Sequence, residues 1–307
     1  MFRLNFSYLE KHPDLFPSVF GISQSQFLML LVGFSRALRK AEIKKASFRG
    51  RVRAIGGGRR PHLSSDFEKL GFILLYYKVY PTFRLAQFIF GFDKRNVQLW
   101  VRFLEPVLFN VVKHKLELPS RKVNTVHGLY EQFPALKEIL IDATERPIQR
   151  PKNKKQNKKY YSGKKKMHTV KNQIIVNPNN KKILAISETH EGKRHDKRIF
   201  DEDKNFMKIP EKALALADTA YQGIIHPFLT VVVPKKKPPN GELTKEEKQN
   251  NQQISKIRVR VEHPLSYLKH FNILSHKFRS RLDRIQQPFE TIAAIYNFSR
   301  DNSLTIQ

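Results

Sequence analysis

Two aspartates stand directly after short apolar runs, in a chain that has few acids. Asp142 ends the segment EILID, and Asp218 ends the segment KALALAD. Apolar runs without alternation are typical of strands in a sheet that is covered on both faces. A carboxylate at the end of such a strand loses hydration, so it needs a proton, hydrogen bonds or a cation to compensate. Either aspartate alone is more often a turn or cap residue, but the two together indicate a shared site at one edge of a sheet.

A third acid lies in the segment KIRVRVEHPLSYLKHFNIL, residues 256–274. Arg258, Glu262 and Lys269 fall on one stripe of a helix, because offsets of four and seven residues return to the same side. They form either an ordinary intrahelical ion pair, worth about 0.2–0.5 kcal/mol, or a site in which Glu262 holds a metal ion while the two cations hold phosphates. Pro264 removes a helical hydrogen bond, so it predicts a kink or an interruption of this helix.

The charge balance of the chain indicates a polyanionic partner. The 307 residues include 57 Lys and Arg against 27 Asp and Glu, so the formal net charge is +30. This excess must face solvent, where it binds polyanions and releases their counterions. Nucleic acid is the expected partner. An anionic membrane surface is the weaker alternative, because no long basic amphipathic helix stands out.

Two further features of the composition limit the class of protein. The chain has no cysteine, which excludes disulfides, thiolate metal sites and cysteine nucleophiles. The N-terminal apolar stretch FLMLLVGF, residues 27–34, is too short to span a bilayer, and the N-terminus lacks a signal-peptide core. We therefore expect a cytoplasmic, nucleoid-associated protein without a membrane partner.

A series of short predicted strands positions the aspartates. Five segments are apolar enough to form strands: 137–143, 172–178, 181–189, 212–218 and 229–235. The residues NPNNKK predict a hairpin connection between the second and the third of them. A helix is predicted at 195–204, the chain becomes helical again from Thr244 to Lys269, and an apolar helix closes it. This order predicts an α/β fold with a mixed sheet and helices on both faces.

An α-helical region precedes the predicted sheet, with one helix at 24–45 and another that begins with a capping box at Ser65. A short helix at 83–90 then meets Gly91, and Asp93 can cap the next helix, which is the pattern of a helix-turn-helix. An ordinary helical hairpin is the alternative. The side chains that would read a DNA groove lie near the start of the second helix: Lys94, Arg95, Asn96 and Gln98.

A strongly basic segment lies between the two aspartates. No acid occurs between Glu145 and Glu188, and residues 150–171 contain ten Lys and Arg, among them Lys164 and Lys166. Tyrosines and a histidine are interleaved with these cations, so we predict a surface that follows a phosphate backbone. A solvated, flexible loop is the alternative interpretation.

Six segments, in this order, resemble the D-D-E transposases. They are IDATERPIQRP, YYSGKKKMHTVKNQ, HEGKRHD, LADTAYQG, RVRVEHPLSYLKHFNIL and IAAIYNF. The nearest similarity is to the insertion-sequence-five type and its eukaryotic Harbinger relatives, and it covers roughly residues 59–300. Arg258, Glu262 and Lys269 match three positions of the Tyr-Arg-Glu-Lys signature of the wider superfamily, whose Tyr position is Ser255 here.

The resemblance implies a ribonuclease-H-like fold in which Asp142, Asp218 and Glu262 bind two Mg²⁺ ions, with Mn²⁺ as a possible substitute. Such an enzyme cuts the ends of an insertion sequence and joins them to target DNA, and it works as a homodimer or a higher synaptic assembly with DNA. The expected regions are an N-terminal helical basic region (1–58), a helix-turn-helix domain (59–113), a linker (114–136) and a catalytic domain (137–307).

Two other functions stay open from the sequence. One is a transposase-derived DNA-binding protein that has lost catalysis, and the other is a different ribonuclease-H-like nuclease. The sequence also leaves open whether Tyr221, three residues after Asp218, packs against the site or touches DNA.

Overall fold

The fold places helices before and after a mixed sheet. The computed structural model describes residues 4–48, 61–116, 138–202, 213–222, 229–238 and 241–303. Within them the α-helices are α1 (Phe6–Glu10), α2 (Phe16–Phe20), α3 (Gln24–Phe48), α4 (Asp66–Val79), α5 (Phe83–Phe90), α6 (Lys94–Val112), α7 (Lys154–Tyr160), α8 (Asp196–Glu202), α9 (Lys245–Arg258), α10 (Glu262–Lys269), α11 (Asn272–Ser275) and α12 (Gln286–Ser303). The strands are β1 (Glu138–Pro147), β2 (Tyr161–Ser162), β3 (Met167–Val176), β4 (Ile183–Ile186), β5 (His190–Glu191), β6 (Ala213–Leu216) and β7 (Leu229–Val232).

Contacts divide the chain into two compact units. The first unit contains Met1–His114, His270–Ser275 and Gln287–Gln307, and the second contains Lys115–Lys269 and His276–Gln286. The C-terminal helix α12 therefore belongs, apart from its first residue, with the N-terminal helices. The strands and helices α7 to α10 lie in the second unit.

Aromatic rings form much of the core of the first unit. Phe27 is fully buried, and its ring centroid lies 4.7 Å from that of Phe67 and 5.3 Å from that of Phe16. Aromatic pairs at such distances each add about 0.5–1.5 kcal/mol beyond the area they bury. In the described part of the chain no single helix is both long and apolar enough to cross a membrane, although the bent pair Pro13–Phe20 and Gln24–Ser47 passes by length and composition.

Three predicted helix boundaries of the first unit, at Ser65, Gly91 and Asp93, are confirmed by their caps. The Ser65 hydroxyl accepts a hydrogen bond from the Glu68 backbone N–H, and the Glu68 side chain accepts one from the Ser65 N–H, so the capping box is complete. Helix α5 is capped by Gly91, whose φ of 70° is left-handed and suits glycine. Asp93 then caps α6 by accepting from the Arg95 N–H at 2.7 Å.

The second unit contains the mixed sheet that the apolar runs predict. Its strand order is β2-β3-β1-β6-β7, and β4 and β5 also pair with β3. β1 and β3 are antiparallel, as are β3 and β4, whereas β6 runs parallel to both β1 and β7. All five predicted strands are present with shifted ends, and the expected hairpin joins β3 to β4. The α/β class is confirmed.

One face of this sheet is an apolar core. Ile139 and Ile141 of β1 pack in a single cluster with Ile175 of β3 and Phe200 of α8. Because side chains alternate along a strand, Leu140 and Asp142 point to the opposite face. Strand β1 thus delivers its carboxylate on the face away from this cluster.

The helix that carries Glu262 is interrupted, as Pro264 predicts. Thr244 caps α9 with a complete capping box to Glu247. The α-helix then gives way to a 3₁₀ turn at Val259–Val261 before α10 starts at Glu262. Pro264 lies in the first turn of α10. Backbone N–H groups in a first turn have no intrahelical acceptor, so the missing N–H of proline costs no hydrogen bond there.

Several features differ from the sequence prediction or lie outside it. The short helices α1 and α2 and the basic helix α7 were not predicted, and α7 lies within the segment for which a flexible loop was the alternative. The glycine run 56–58 and nearly all of the expected linker 114–136 lie outside the described residues.

Candidate active site

The sheet aligns the two aspartates on neighbouring parallel strands. Leu140 of β1 is the register partner of Leu216 of β6. Two residues further along, Asp142 and Asp218 therefore stand at the same level, at the carboxyl-terminal end of β6. This register brings the two aspartates to the same edge of the sheet, as the apolar runs predict.

Each of the two carboxylates is held by the backbone that follows it. Asp142 Oδ1 accepts a hydrogen bond from the Ala143 N–H at 2.7 Å, and Asp218 Oδ1 accepts one from the Thr219 N–H at 2.6 Å. The bond to Thr219 is also the one by which Asp218 caps the 3₁₀ turn Thr219–Tyr221. These bonds fix the rotamer of each carboxylate.

Burial dominates the electrostatics of Asp142. Desolvation raises the pKa of the Asp142 carboxyl above its ordinary value, and the negative charges of Asp218 and Asp196 raise it further. The Ala143 N–H and the positive charge of Arg258 act in the opposite direction. A cation placed between Asp142 and Asp218 would relieve both the desolvation and the repulsion, so the pair fits a metal ion.

Arg258 approaches this pair from the end of α9. Its Nη1 lies 3.9 Å from Asp218 Oδ1, and its side chain is 22% exposed. Glu262 follows one helical turn later, as the first residue of α10, and it is exposed. The intervening 3₁₀ turn contacts β1. The structure therefore brings Asp142, Asp218 and Arg258 together and holds the segment that carries Glu262 against the strand of Asp142.

The donor set suits a hard divalent ion, but the three acids are not gathered around one point. Within the described ranges, no group of three or more His, Asp or Glu side chains is close enough to hold an ion. The two aspartates that do meet supply only oxygen ligands, which Mg²⁺ and Mn²⁺ prefer.

A second polar cluster lies on the opposite face of the sheet from Asp142, and it was not predicted. Lys171 Nζ lies 3.0 Å from Asp196 Oδ1, 3.7 Å from Glu145 Oε1 and 2.9 Å from the Arg194 carbonyl oxygen. All three charged side chains are largely buried. The cluster ties the start of α8 to β1 and β3. One sign of this cluster is visible in the sequence: Asp196, the last residue of the segment HEGKRHD, lies near the start of the predicted helix 195–204.

The structure also decides the position of Tyr221. Its side chain is 1% exposed and packs in the apolar cluster with Ile139, Ile141 and Phe200. It therefore packs beneath the site, and direct contact with DNA is excluded by its burial.

The basic segment forms ordered structure in the second unit. Helix α7 is capped by Asn153, and the hairpin of β2 and β3 follows it. Lys164 and Lys166 are exposed in the turn of that hairpin, where Lys166 has a φ of 52°. Lys269 is exposed at the end of α10.

The predicted DNA-reading residues of the first unit lie in the first turns of α6. Lys94 and Arg95 are exposed, whereas Asn96 and Gln98 are half-buried. Val97, between Asn96 and Gln98 in the sequence, is fully buried. One face of α6 therefore packs in the core, and these polar side chains lie beside that face.

Comparison with known proteins gives the family of the chain. Residues 141–297, slightly more than half of the chain, match the family described as DDE superfamily endonuclease. This segment contains Asp142, Asp218 and Glu262. The chain belongs to the DDE superfamily endonucleases. It is also 33% identical over 241 residues to a protein of Microchaete diplosiphon, "Probable transposase for insertion sequence element IS702", covering 78% of this chain and 83% of that protein.

Together these matches make the chain a DNA transposase, and an enzyme of the nuclease class. Members of the superfamily generally use divalent metal ions, and DNA is the substrate that a transposase acts on. No solved structure matches the chain significantly.

Proposed function

We propose that this transposase cuts the ends of an insertion sequence and joins them to target DNA, with Asp142, Asp218 and Glu262 as its metal-binding acids. The observation that carries the proposal is the register of β1 and β6, which sets Asp142 beside Asp218. A partly buried carboxylate whose pKa is raised by desolvation, and further by a neighbouring negative charge, is a poor structural element and a good cation ligand.

When bound, divalent ions would activate the attacking hydroxyl and stabilise the leaving oxygen of an in-line displacement. We propose two such ions, with Mg²⁺ preferred. The protein supplies position and charge. Asp142 and Asp218 are held by the Ala143 and Thr219 N–H groups, so their oxygens are fixed before DNA arrives. Glu262 would complete the set from the helical side.

The cations around these acids have a separate task in the proposal. Arg258, which already lies beside Asp218, and Lys269 would hold phosphates of the DNA that flank the reacting one. In-line phosphoryl transfer depends mainly on positioning and on neutralising charge, so such contacts contribute directly to the rate.

DNA would be held at two further surfaces. We propose that α5 and α6 form a helix-turn-helix in which Lys94, Arg95, Asn96 and Gln98 read a groove, because a glycine turn joins the helices and α6 exposes its first cations. The second surface is α7 with the hairpin turn of Lys164 and Lys166, where an ordered basic element would follow the phosphate backbone.

Finer features of the resemblance belong to the same proposal. We infer a ribonuclease-H-like fold for the second unit, which is supported by the mixed sheet and its paired aspartates. The family match from 141 to 297 supports a catalytic region at 137–307, with 1–58, 59–113 and 114–136 as basic region, helix-turn-helix domain and linker. We also propose that the transposase is of the insertion-sequence-five type and is related to the Harbinger transposases. It would act near the nucleoid as a homodimer or a higher synaptic assembly with DNA.

Mutation of one carboxylate tests the proposal. Purified wild-type protein, Asp218→Asn and the control Asp201→Asn are incubated with Mg²⁺ and labelled DNA that carries the inverted repeats flanking the gene. Asp201 is exposed at the end of α8, so its variant makes the same change of charge away from the site. We expect Asp218→Asn to bind this DNA normally and to lose cleavage by a factor of about 10³ or more. Normal nicking by Asp218→Asn would refute the assignment.

A further inference from the structure

Helix α9 brings Arg258 to Asp218, although it buries little apolar surface. The structure describes the whole of this helix, and Ile254 is its one buried residue. From Lys245 to Arg258 the sequence has only two apolar residues, Ile254 and Ile257. Because most of the stability of a helix in a protein comes from the packing of an apolar face, a helix of this composition needs a further anchor to hold one position.

Asn251 supplies such an anchor on the chain that leaves β7. Its Oδ1 accepts a hydrogen bond from the Lys235 N–H at 2.8 Å, and its Nδ2 donates to the Lys235 carbonyl oxygen at 2.9 Å. One side-chain amide thus bonds both backbone groups of a single residue. This reciprocal pair permits only one orientation of the amide, because its donor and its acceptor each face a partner of the opposite kind.

Lys235 lies just beyond β7, the strand next to the one that leads to Asp218. β7 is the last strand in the order of the sheet and runs parallel to β6. The Ala217 N–H donates to the Val232 carbonyl oxygen at 3.1 Å, and Asp218 is the residue after Ala217. Asn251 is therefore attached three residues beyond the strand position that pairs beside Asp218, and α9 itself contacts β6.

Asn251 and Arg258 lie on the same side of α9. An offset of seven residues is close to two helical turns, so the two side chains are about 10.5 Å apart along the helix axis. Glu247, one turn before Asn251, forms an ion pair with the Lys235 ammonium group. One side of the helix is thus held first at Lys235, by two successive turns, and then at Asp218, by Arg258.

We propose that Asn251 is a positioning residue, which fixes α9 to the chain after β7 and thereby sets Arg258 beside Asp218. The inference rests on the proposed function, in which Arg258 holds a phosphate next to the reacting one. Asn251 acts through Arg258 and has no task of its own in the reaction. Loss of its amide leaves Lys235 with the ion pair to Glu247, which is solvent-exposed on the lysine side and holds the helix only weakly.

The first measurement tests the contact itself. Hydrogen exchange of the Lys235 amide is followed in the full-length wild type, in Asn251→Ala and in the control Asn250→Ala. Asn250 is an exposed neighbour on the same helix, so its variant makes the same truncation at a solvent-facing position. We expect the Lys235 amide to exchange about two- to tenfold faster in Asn251→Ala only, which is the range of one hydrogen bond.

The second measurement tests the action through Arg258. Cleavage of the labelled DNA with Mg²⁺ is timed at saturating protein for wild type, both asparagine variants, Arg258→Gln and the double variant Asn251→Ala with Arg258→Gln. We expect Asn251→Ala to cleave about two- to tenfold more slowly and Asn250→Ala to cleave at the wild-type rate. The double variant should be no slower than Arg258→Gln, because the asparagine acts through that arginine, whereas a general loss of stability would multiply the two losses.

The outcomes also separate this inference from the proposed function. Wild-type cleavage by Asn251→Ala, multiplied losses in the double variant, or equal exchange of the Lys235 amide in both asparagine variants would each overturn the positioning role. The metal site would still stand if Asp218→Asn had lost cleavage. If Arg258→Gln cleaves at the wild-type rate, or Asp218→Asn nicks DNA normally, the proposed function fails at that residue, and the positioning role falls with it.

Discussion

The guanidinium of Arg258 lies 3.9 Å from the carboxylate of Asp218, and its positive charge also lowers the pKa of Asp142. One cation at the end of α9 therefore acts on two carboxylates from neighbouring strands. Because Arg258 is only partly exposed, water screens its charge less than it would screen that of a surface arginine. The pH range in which Asp142 is charged depends in part on this residue.

Replacement of Arg258 by Gln should move the acid limb of the cleavage profile to higher pH. The Asp142 pKa is already raised by burial, and Arg258 is one of the groups that oppose the rise. Since a metal ligand must be deprotonated, loss of the cation means that a higher pH is needed for ion binding. The profile is measured at fixed Mg²⁺ for wild type, Arg258→Gln and Arg260→Gln. Arg260, an exposed neighbour that donates to the Pro178 carbonyl oxygen, serves as control. An acid limb that stays in place in Arg258→Gln would refute this role.

Asp142→Asn should stabilise the protein in metal-free buffer near neutral pH. The folded pKa of Asp142 lies above its ordinary value of 3.8, so the fold favours the protonated form. Stability therefore falls as pH rises through the window between that value and the folded pKa, and the loss is fully present above the window. The asparagine variant escapes this loss, and its melting temperature should exceed that of wild type at neutral pH.

The difference should disappear in two conditions. Below the ordinary pKa both proteins carry a neutral side chain, and with Mg²⁺ the wild type regains stability through ligand binding that the variant lacks. Thermal melts across pH, with and without Mg²⁺, measure both effects, and Asp201→Asn again controls for a change of charge. A variant that is less stable than wild type at neutral pH without metal would contradict the account.

Local sequence patterns were sufficient for the strands and for most helix boundaries. The apolar runs before Asp142 and Asp218 form β1 and β6, and the capping boxes at Ser65 and Thr244 start helices where they were expected. Pro264 interrupts its helix for the local steric reason that the sequence supplies. Each of these features depends on residues within a few positions of one another.

Features that depend on distant contacts could not be predicted in this way. Arg258 meets Asp218 only because α9 packs on the sheet, and no local pattern encodes that packing. The lysine-rich helix α7 is similar, because repulsion between its cations disfavours a helix and its stability comes from contacts elsewhere. The direction of Tyr221 was undecidable for the same reason.

Gly192→Ala should disturb the backbone contacts that hold the C-terminal end of helix α7. An added Cβ would lie 2.6 Å from the Thr169 carbonyl oxygen and 2.9 Å from the Tyr160 carbonyl oxygen, and it would also clash with Thr169 Oγ1. The backbone on both sides must then shift, at a cost of about 1–3 kcal/mol. Because the Lys193 N–H donates to the Lys159 carbonyl oxygen, the shift also disturbs the end of α7.

Gly163→Ala is the matched control for this change, since a Cβ at Gly163 meets no atom within 4 Å. Urea denaturation should show a loss of stability for Gly192→Ala only. Hydrogen exchange should show earlier exchange of the α7 amides in that variant. Equal stability of the two alanine variants would mean that the close approach at Gly192 does not support α7.

Neutralisation of Lys94 and Arg95 should weaken DNA binding and lower its dependence on salt. Both side chains are exposed in the first turn of α6, where the proposed helix-turn-helix would enter the groove between two phosphate backbones. Each lost phosphate contact reduces the slope of log K against log salt by about 0.9, so the double Gln variant should lose nearly 2. Lys113→Gln, which removes an exposed charge just after the other end of α6, should bind with nearly the wild-type affinity and slope. Fluorescence anisotropy at several salt concentrations gives the slopes. An unchanged slope in the double variant would place the phosphate contacts on another surface, and the hairpin of Lys164 and Lys166 would be tested next.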